Sequence, residues 1–193
     1  MSQNTWLHQL IRGAVRPLVY TPVTPNHLTT ARLISGLAAA TVWAFGLNLG
    51  GAILFAVSIL LDRADGELAR QQGSASSFGH RYDIVTDAVS NAAVMIGIGY
   101  GLREGPLGAW ALGAGIIAGL AIAYVLLAMV RREREAGEGA AAFAAVGGFD
   151  ADDAMLVIPV GMALGLGNPL IVAAAIGAPA AALIITVKFR RRR

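Results

Sequence analysis

The chain has 193 residues, of which 56% are hydrophobic and 14% charged, and its formal net charge is +3 at pH 7. This balance is unusual for a soluble domain and typical of a polytopic membrane protein. There is no cysteine, which excludes disulfides, thiol nucleophiles and thiolate metal ligands. Four of the fifteen basic residues stand at 190–193, after an apolar segment, which indicates lipid headgroups or topology rather than nucleic-acid binding.

Residues 1–24 are expected to approach the membrane from its surface. Apolar residues recur there at helical spacing, with Arg12 and Arg16 among them: Trp6, Leu7, Leu10, Ile11, Ala14 and Val15. The pattern favours an amphipathic interfacial helix over residues 3–20, and the alternative is an ordinary polar leader. No secretory signal pattern precedes the first span, so we expect insertion to depend on that span.

Residues 25–187 contain six apolar segments: 27–47, 51–70, 82–102, 107–130, 154–166 and 169–187. The fifth is short for a bilayer that needs about twenty residues, so it either begins earlier, within 149–153, or kinks at Pro159. We predict an all-α fold, a single integral membrane domain of six transmembrane helices with a basic tail at 188–193. Trp43 and Trp110 fall near span ends and are interpreted as interface anchors.

The basic residues predict the orientation. One face of the predicted bundle holds Arg12, Arg16, Arg70, Arg81, the group at 131–134 and the tail, and the opposite loops offer only Arg103. Because cytoplasmic loops are enriched in Lys and Arg, both termini are expected in the cytoplasm, most simply beneath a bacterial inner membrane.

Four aspartates dominate residues 62–87: Asp62, Asp65, Asp83 and Asp87. Placing carboxylates at the end of membrane-length segments costs free energy, so their presence indicates a functional site. On a helix, Asp62, Asp65, Gly66 and Ala69 share one face, and Gly79, Asp83 and Asp87 share another. If the two helices pack antiparallel, these two faces converge and form a pocket of four carboxylates.

The four carboxylates of such a pocket would repel one another if no cation were bound among them. Oxygen ligands favour Mg²⁺ or Mn²⁺, two ions suit this number of carboxylates, and paired metals suit displacement at phosphorus. Gly66 and Ala69 leave room for a flat group such as a nucleobase, and Arg70 is suited to gripping a phosphate.

The same residues form a family signature. Asp62-x2-Asp65-Gly66-x2-Ala69-Arg70-x8-Gly79-x3-Asp83-x3-Asp87 matches every fixed position of the motif of the CDP-alcohol phosphotransferases, or phosphatidyltransferases. Pro25-Asn26-x2-Thr29-x2-Arg32 also resembles the family's first-helix sequence. The resemblance fits the whole chain and implies a membrane enzyme, usually a homodimer, that releases CMP from a CDP-linked alcohol.

The resemblance also implies residue roles. Asp62, Asp65 and Asp83 would hold two divalent metals, and Asp87 would be the general base and a further metal ligand. The CDP group would be held by Asn26, Thr29, Asp62, Gly66, Ala69, Arg70 and Gly79. The acceptor alkoxide would attack the β-phosphorus of the donor as CMP leaves.

The substrates stay open at this point. CDP-diacylglycerol is the first choice of donor, and a soluble CDP-alcohol with a lipid acceptor is the alternative. The branch that makes phosphatidylglycerol phosphate typically has DPxADK around the last two aspartates, and this chain lacks that proline and lysine. Arg63, His80 and Arg81 either bind a phosphate of the acceptor or donor lipid or simply snorkel to headgroups.

A function of another class is a divalent-cation transporter or scaffold. Spans one, four and six have no acidic residue in mid-helix, which disfavours an ion path across the bilayer. Asp150, Asp152 and Asp153 are expected to cap the fifth helix, with recognition of the acceptor as the alternative.

Overall fold

The computed structural model describes residues 6–136 and 155–191. Within these ranges the chain is helical and contains no strand, which confirms the predicted all-α class. The elements in chain order are α1 Trp6–Val15, a 3-10 helix Arg16–Tyr20, α2 Pro25–Ala44, α3 Asn48–Gln72, α4 Ser77–Gly101, α5 Ala109–Ala136, α6 Val157–Ala163 and α7 Gly167–Arg191.

Three of the described helices are long and apolar enough to cross a membrane, over Ser77–Gly101, Ala109–Arg132 and Gly167–Phe189. Helices α2 and α3 have 20 and 25 residues, and the charged second half of α3 lowers its hydropathy. Helix α6 has seven residues, and the segment before it, with Asp150, Asp152 and Asp153, lies outside the described ranges. The count of six spans therefore stays a prediction.

Helix α1 packs against the bundle. Ile11 and Val15 are buried together with Leu68 of α3. Because these are residues of the predicted apolar stripe, part of that stripe contacts protein. A position of α1 at the membrane surface stays a prediction.

Helix α2 lies at the centre of the site-bearing part of the bundle. Helices α3 and α4 both pack closely on α2, and α5 packs on α4 and α7. The contact between α2 and α4 is close: a Cβ at Gly97 or Gly101 would collide with the backbone carbonyl oxygen of Ala40 or Trp43. Side chains of α2 can consequently contact both α3 and α4.

Trp43 belongs to the core of the bundle. Its side chain is 1% exposed, its ring meets Phe55 edge-on at 5.6 Å, and its Nε1 donates to the carbonyl oxygen of Asn48 at 3.1 Å. The interpretation of Trp43 as an interface anchor is therefore wrong. A buried indole needs a hydrogen-bond acceptor, and the first residue of α3 provides one.

Candidate active site

Three of the four motif aspartates meet at the seam between α3 and α4, which is the space between these helices that α2 lines. Asp62 comes from the second half of α3, and Asp83 and Asp87 lie one turn apart in α4. One carboxylate oxygen from each lies within 4.8 Å of the other two. Their side chains are about one third exposed, at 31%, 32% and 32%, so the cluster is open to a ligand on one side.

Asp65, the fourth motif aspartate, has a different environment. It is buried, and its Oδ2 accepts a hydrogen bond from the Thr29 hydroxyl at 2.7 Å. Thr29 is buried as well, and its hydroxyl oxygen also lies 3.1 Å from the carbonyl oxygen of Pro25. The predicted pocket of four carboxylates is thus arranged as a group of three with Asp65 oriented by α2 beside it.

Arg32 of α2 lies beneath the three clustered carboxylates. Its Nη1 donates to Oδ1 of Asp62 and, at 2.9 Å, to Oδ1 of Asp83. Its Nη2 lies 2.9 Å from Oδ1 of Asp87 and donates to the Thr86 hydroxyl at 2.9 Å. The guanidinium is 2% exposed, so its charge is balanced by these carboxylates rather than by water.

No role for Arg32 or Thr86 was predicted from the sequence. A signal was present, because an arginine within an apolar span is rare and usually functional. Direct packing of α3 on α4 was considered from the sequence, and α2 was not placed between them. Because α2 lies there, Arg32, one turn beyond Thr29, faces the aspartates of both helices.

Gly66 and Arg70 form an open edge of α3. A Cβ at Gly66 would meet only Nη1 of Arg70, at 3.7 Å, so packing within the protein does not require a glycine there. Arg70 is half exposed, and its Nε and Nη2 donate to Oε2 of the buried Glu67 at 3.1 and 2.9 Å. Glu67 therefore fixes the guanidinium beside the partly exposed face of Gly66 and Ala69.

Gly79, at the start of α4, and Asn26, at the start of α2, lie close together. The Gly79 amide donates to the Ser76 hydroxyl at 3.0 Å, which caps the helix. A Cβ at Gly79 would lie 3.2 Å from that hydroxyl and 3.4 Å from Oδ1 of Asn26. Both positions lie near the aspartate-bearing half of α4.

A cavity of about 130 Å³ adjoins Arg32, Asp62 and Asp87. Its described lining also includes Phe55, Ile59, Ser58, Ser90, Asn91, Leu126 and Met155. Arg63, His80 and Arg81 are not among the described residues that line it. They stand in the same ends of α3 and α4, with Arg63 and Arg81 half-buried and His80 exposed.

The clustered donors suit a hard divalent cation. All three are carboxylate oxygens close enough to share an ion, and each carboxylate offers two oxygens. Arg32 contacts one oxygen of each group, so the donor set retains capacity for an ion on its exposed side. The described residues therefore fit Mg²⁺ or Mn²⁺.

Comparison with known proteins finds relatives of this chain that are named as synthases of inositol phosphate lipids. An archaetidylinositol phosphate synthase of Pyrococcus horikoshii is 35% identical over 41% of this chain and 42% of its own length. A phosphatidylinositol phosphate synthase of Mycobacterium tuberculosis is 31% identical over 48% of this chain and 45% of its own. The chain thus matches less than half the length of these curated relatives.

Solved structures match over more of the fold. Phosphatidylinositol phosphate synthase of Mycobacterium tuberculosis with CDP-DAG bound superposes with a TM-score of 0.72 at 19% identity, covering 93% of this chain and 91% of that one. The same enzyme with manganese and citrate gives 0.68 at 21% identity, covering 91% and 88%. At these identities the likeness shows a shared fold.

The match that decides the family covers most of the chain and includes the whole site. The sequence profile described as CDP-alcohol phosphatidyltransferase matches residues 22–187, from the approach to α2 into α7. All four motif aspartates, Arg32 and Thr29 lie inside this range. The predicted family is thereby confirmed, and the chain belongs to the CDP-alcohol phosphatidyltransferase family.

Proposed function

We propose that this protein transfers a substituted phosphate from a CDP-linked alcohol to an acceptor hydroxyl and releases CMP. The observation that carries the proposal is the meeting of Asp62, Asp83 and Asp87, which come from the two halves of the family motif. A transporter would instead need polar groups along the bilayer depth, and the described acidic cluster lies in one half of α3 and α4.

Two divalent ions, Mg²⁺ or Mn²⁺, are the proposed cofactors, held by Asp62, Asp65, Asp83 and Asp87. Support comes from the oxygen donor set and from the solved relative that contains manganese. When bound, the ions would neutralise charge on the donor's pyrophosphate and on departing CMP. Thr29 positions Asp65 as a ligand, because its hydroxyl holds Oδ2 at 2.7 Å.

Asp87 is the proposed general base. It accepts the proton of the acceptor hydroxyl, and the resulting alkoxide forms a bond to the β-phosphorus of the donor. The bond from that phosphorus to the oxygen of CMP breaks, so no covalent intermediate with the protein is required. The side chain suits this role because it is partly exposed and adjoins the cavity at the seam.

The CDP group is proposed to lie along the open edge of α3. Gly66 and Ala69 provide a face for the nucleobase, and Arg70, fixed by Glu67, binds a phosphate. Gly79 at the start of α4 and Asn26 at the start of α2 contact the same group, and Thr29 and Asp62 complete the proposed contacts.

A lipid donor and a phosphorylated polyol acceptor are the proposed substrates. The solved relative that contains CDP-DAG supports a CDP-linked lipid as donor. The named relatives make inositol phosphate lipids, which makes an inositol phosphate the first acceptor to test. Arg63, His80 and Arg81 are proposed to bind the phosphate of the acceptor or of the donor lipid.

We further infer that the protein is an integral membrane homodimer with six transmembrane helices, with α1 at the membrane surface. The active site and both termini face the cytoplasm, beneath a bacterial inner membrane. Three helices of membrane length support insertion into the membrane, and the bias of basic residues toward the aspartate side supports the orientation.

The test is CMP release by protein purified in detergent with Mg²⁺ or Mn²⁺. CDP-diacylglycerol is offered with glycerol-3-phosphate, inositol, inositol phosphate, serine or choline. The expected result is CMP release with inositol phosphate that EDTA abolishes. No release with any acceptor, while CDP still binds, would point to a soluble CDP-alcohol donor. Absence of both CMP release and CDP binding would overturn the proposed function.

A further inference from the structure

Arg32 contacts all three aspartates of the cluster. It hydrogen-bonds or ion-pairs with Asp62, Asp83 and Asp87, and its Nη2 also donates to the carbonyl oxygen of Asp83 at 3.2 Å. These contacts link α2 to both helices that carry the cluster. Nothing in the reaction described above uses this side chain.

The carboxylates present two unequal sides. On the inner side Arg32 is 2% exposed and touches Oδ1 of all three groups, while the carboxylates themselves remain about one third exposed. A carboxylate has two oxygens and about four acceptor positions, so a guanidinium on one oxygen does not exhaust it. A cation that approaches from the exposed side and the guanidinium beneath are therefore compatible.

The shape of arginine suits this bridging position. The planar fork places several N–H groups in fixed directions, so one guanidinium serves two carboxylates from α4 and one from α3. Lysine would bring the same charge as a single point donor. Thr86 supports the fork, because its hydroxyl accepts from Nη2 at 2.9 Å and donates to the carbonyl oxygen of Asp83 at 2.8 Å.

We infer that Arg32 is a positioning residue, which holds Asp62, Asp83 and Asp87 from the inner side in the spacing that divalent cations require. This inference rests on the proposed metal dependence. Without Arg32, three like charges within 4.8 Å would repel one another and separate, which disrupts the cation site. Partners that orient metal ligands typically change metal affinity by about 10-fold to 100-fold when removed.

The experiment measures Mn²⁺ binding by the full chain in detergent, with free Mn²⁺ read from its electron paramagnetic resonance signal. We expect Arg32→Met to weaken Mn²⁺ affinity about 10-fold to 100-fold, and Arg32→Lys to restore only part of it. Arg103→Met serves as the matched control, because it removes the same charge beyond the far end of α4, where Arg103 pairs with Glu104. It should leave Mn²⁺ affinity unchanged.

A folded Arg32→Met variant that binds Mn²⁺ as tightly as the natural protein, or more tightly, would overturn the inference. If that variant does not fold, Thr86→Val decides, since it removes only the hydroxyl that supports the guanidinium. It should weaken Mn²⁺ binding several-fold, and unchanged affinity would count against the inference. Absence of Mn²⁺ binding by the natural protein would instead overturn the proposed metal site itself.

Discussion

Asp87 is the residue on which the proposed chemistry depends most directly. It is about one third exposed, pairs with Arg32 at 2.9 Å and adjoins the cavity at the seam. In Asp87→Asn the amide keeps an oxygen for contacts but cannot accept a proton. We expect turnover to fall by about 100-fold to 10,000-fold, with CDP and Mn²⁺ still bound. The measurement is CMP release alongside direct binding of both ligands.

A near-normal rate in Asp87→Asn would show that another group takes the proton. Loss of Mn²⁺ binding together with turnover would show that the metal contact of Asp87 accounts for the lost rate, and the general-base role would then lack support. The conservative change is needed because alanine would remove both functions at once.

Substitution of Asp65 tests the buried part of the proposed metal site. The Thr29 hydroxyl holds its Oδ2 at 2.7 Å, so the side chain has one preferred orientation. Asp65→Ala is expected to abolish metal-dependent CDP binding, because the proposed ions connect the pyrophosphate to the protein. The measurement is CDP affinity with Mn²⁺ and with EDTA. Equal affinity in the two conditions for the natural protein would contradict the metal-bridged arrangement.

Substitution of Gly66 distinguishes a glycine that folding requires from a glycine that CDP binding requires. A Cβ there meets only the end of the flexible Arg70 side chain, at 3.7 Å. Gly66→Ala should therefore leave stability unchanged or raise it by up to about 1 kcal/mol, since alanine favours a helix. CDP affinity should fall about tenfold, because the added methyl group stands on the proposed nucleobase face. Thermal unfolding and CDP titration on the same preparation measure both effects.

Reduced stability in Gly66→Ala would mean that α3 itself needs the glycine. Unchanged CDP affinity would mean that the nucleobase lies elsewhere. Neither outcome depends on knowing the acceptor.

At the scale of elements, the contact between α2 and α4 fixes the position of the site. Backbone atoms of α2 stand where a Cβ at Gly97 would be, so Gly97→Ala must push the helices apart. We expect a loss of about 1–3 kcal/mol in stability, as for overpacking in a core. Gly113→Ala is the matched control, because a Cβ in that helical position of α5 meets nothing within 4 Å.

The control variant Gly113→Ala should be neutral or up to about 1 kcal/mol more stable, because alanine is the better helix former. Thermal or denaturant unfolding in detergent measures both variants. Equal stability of the two would show that the close approach of α2 and α4 has no energetic consequence.

Element order and site location were predictable from the sequence, and helix neighbours were not. Spacings of three and four residues placed Asp62 with Asp65 and Asp83 with Asp87, because such spacings share a helix face. Which helix lies between α3 and α4 depends on small residues such as Gly97, whose contacts are distant in sequence. Arg32 and the burial of Trp43 were missed for that reason.

At the scale of the whole molecule, the distribution of basic residues predicts which side of the membrane the site faces. The turn between α3 and α4 lies beside the aspartates, and the turn between α4 and α5 lies at the other end of α4. Ser74 is exposed in the first turn, and the Glu104 side chain is 82% exposed in the second. The bias of arginine toward the aspartate side predicts that Ser74 is cytoplasmic and Glu104 external.

Single cysteines make this prediction measurable, because the chain contains none. A maleimide that cannot cross membranes should label Glu104→Cys in intact cells and Ser74→Cys only after permeabilisation. The natural chain, which should stay unlabelled in both conditions, is the control for background. Labelling of Ser74→Cys in intact cells would place the aspartates outside. CDP-linked donors made in the cytoplasm would then not reach them, so that result would count against the proposed reaction as well as the topology.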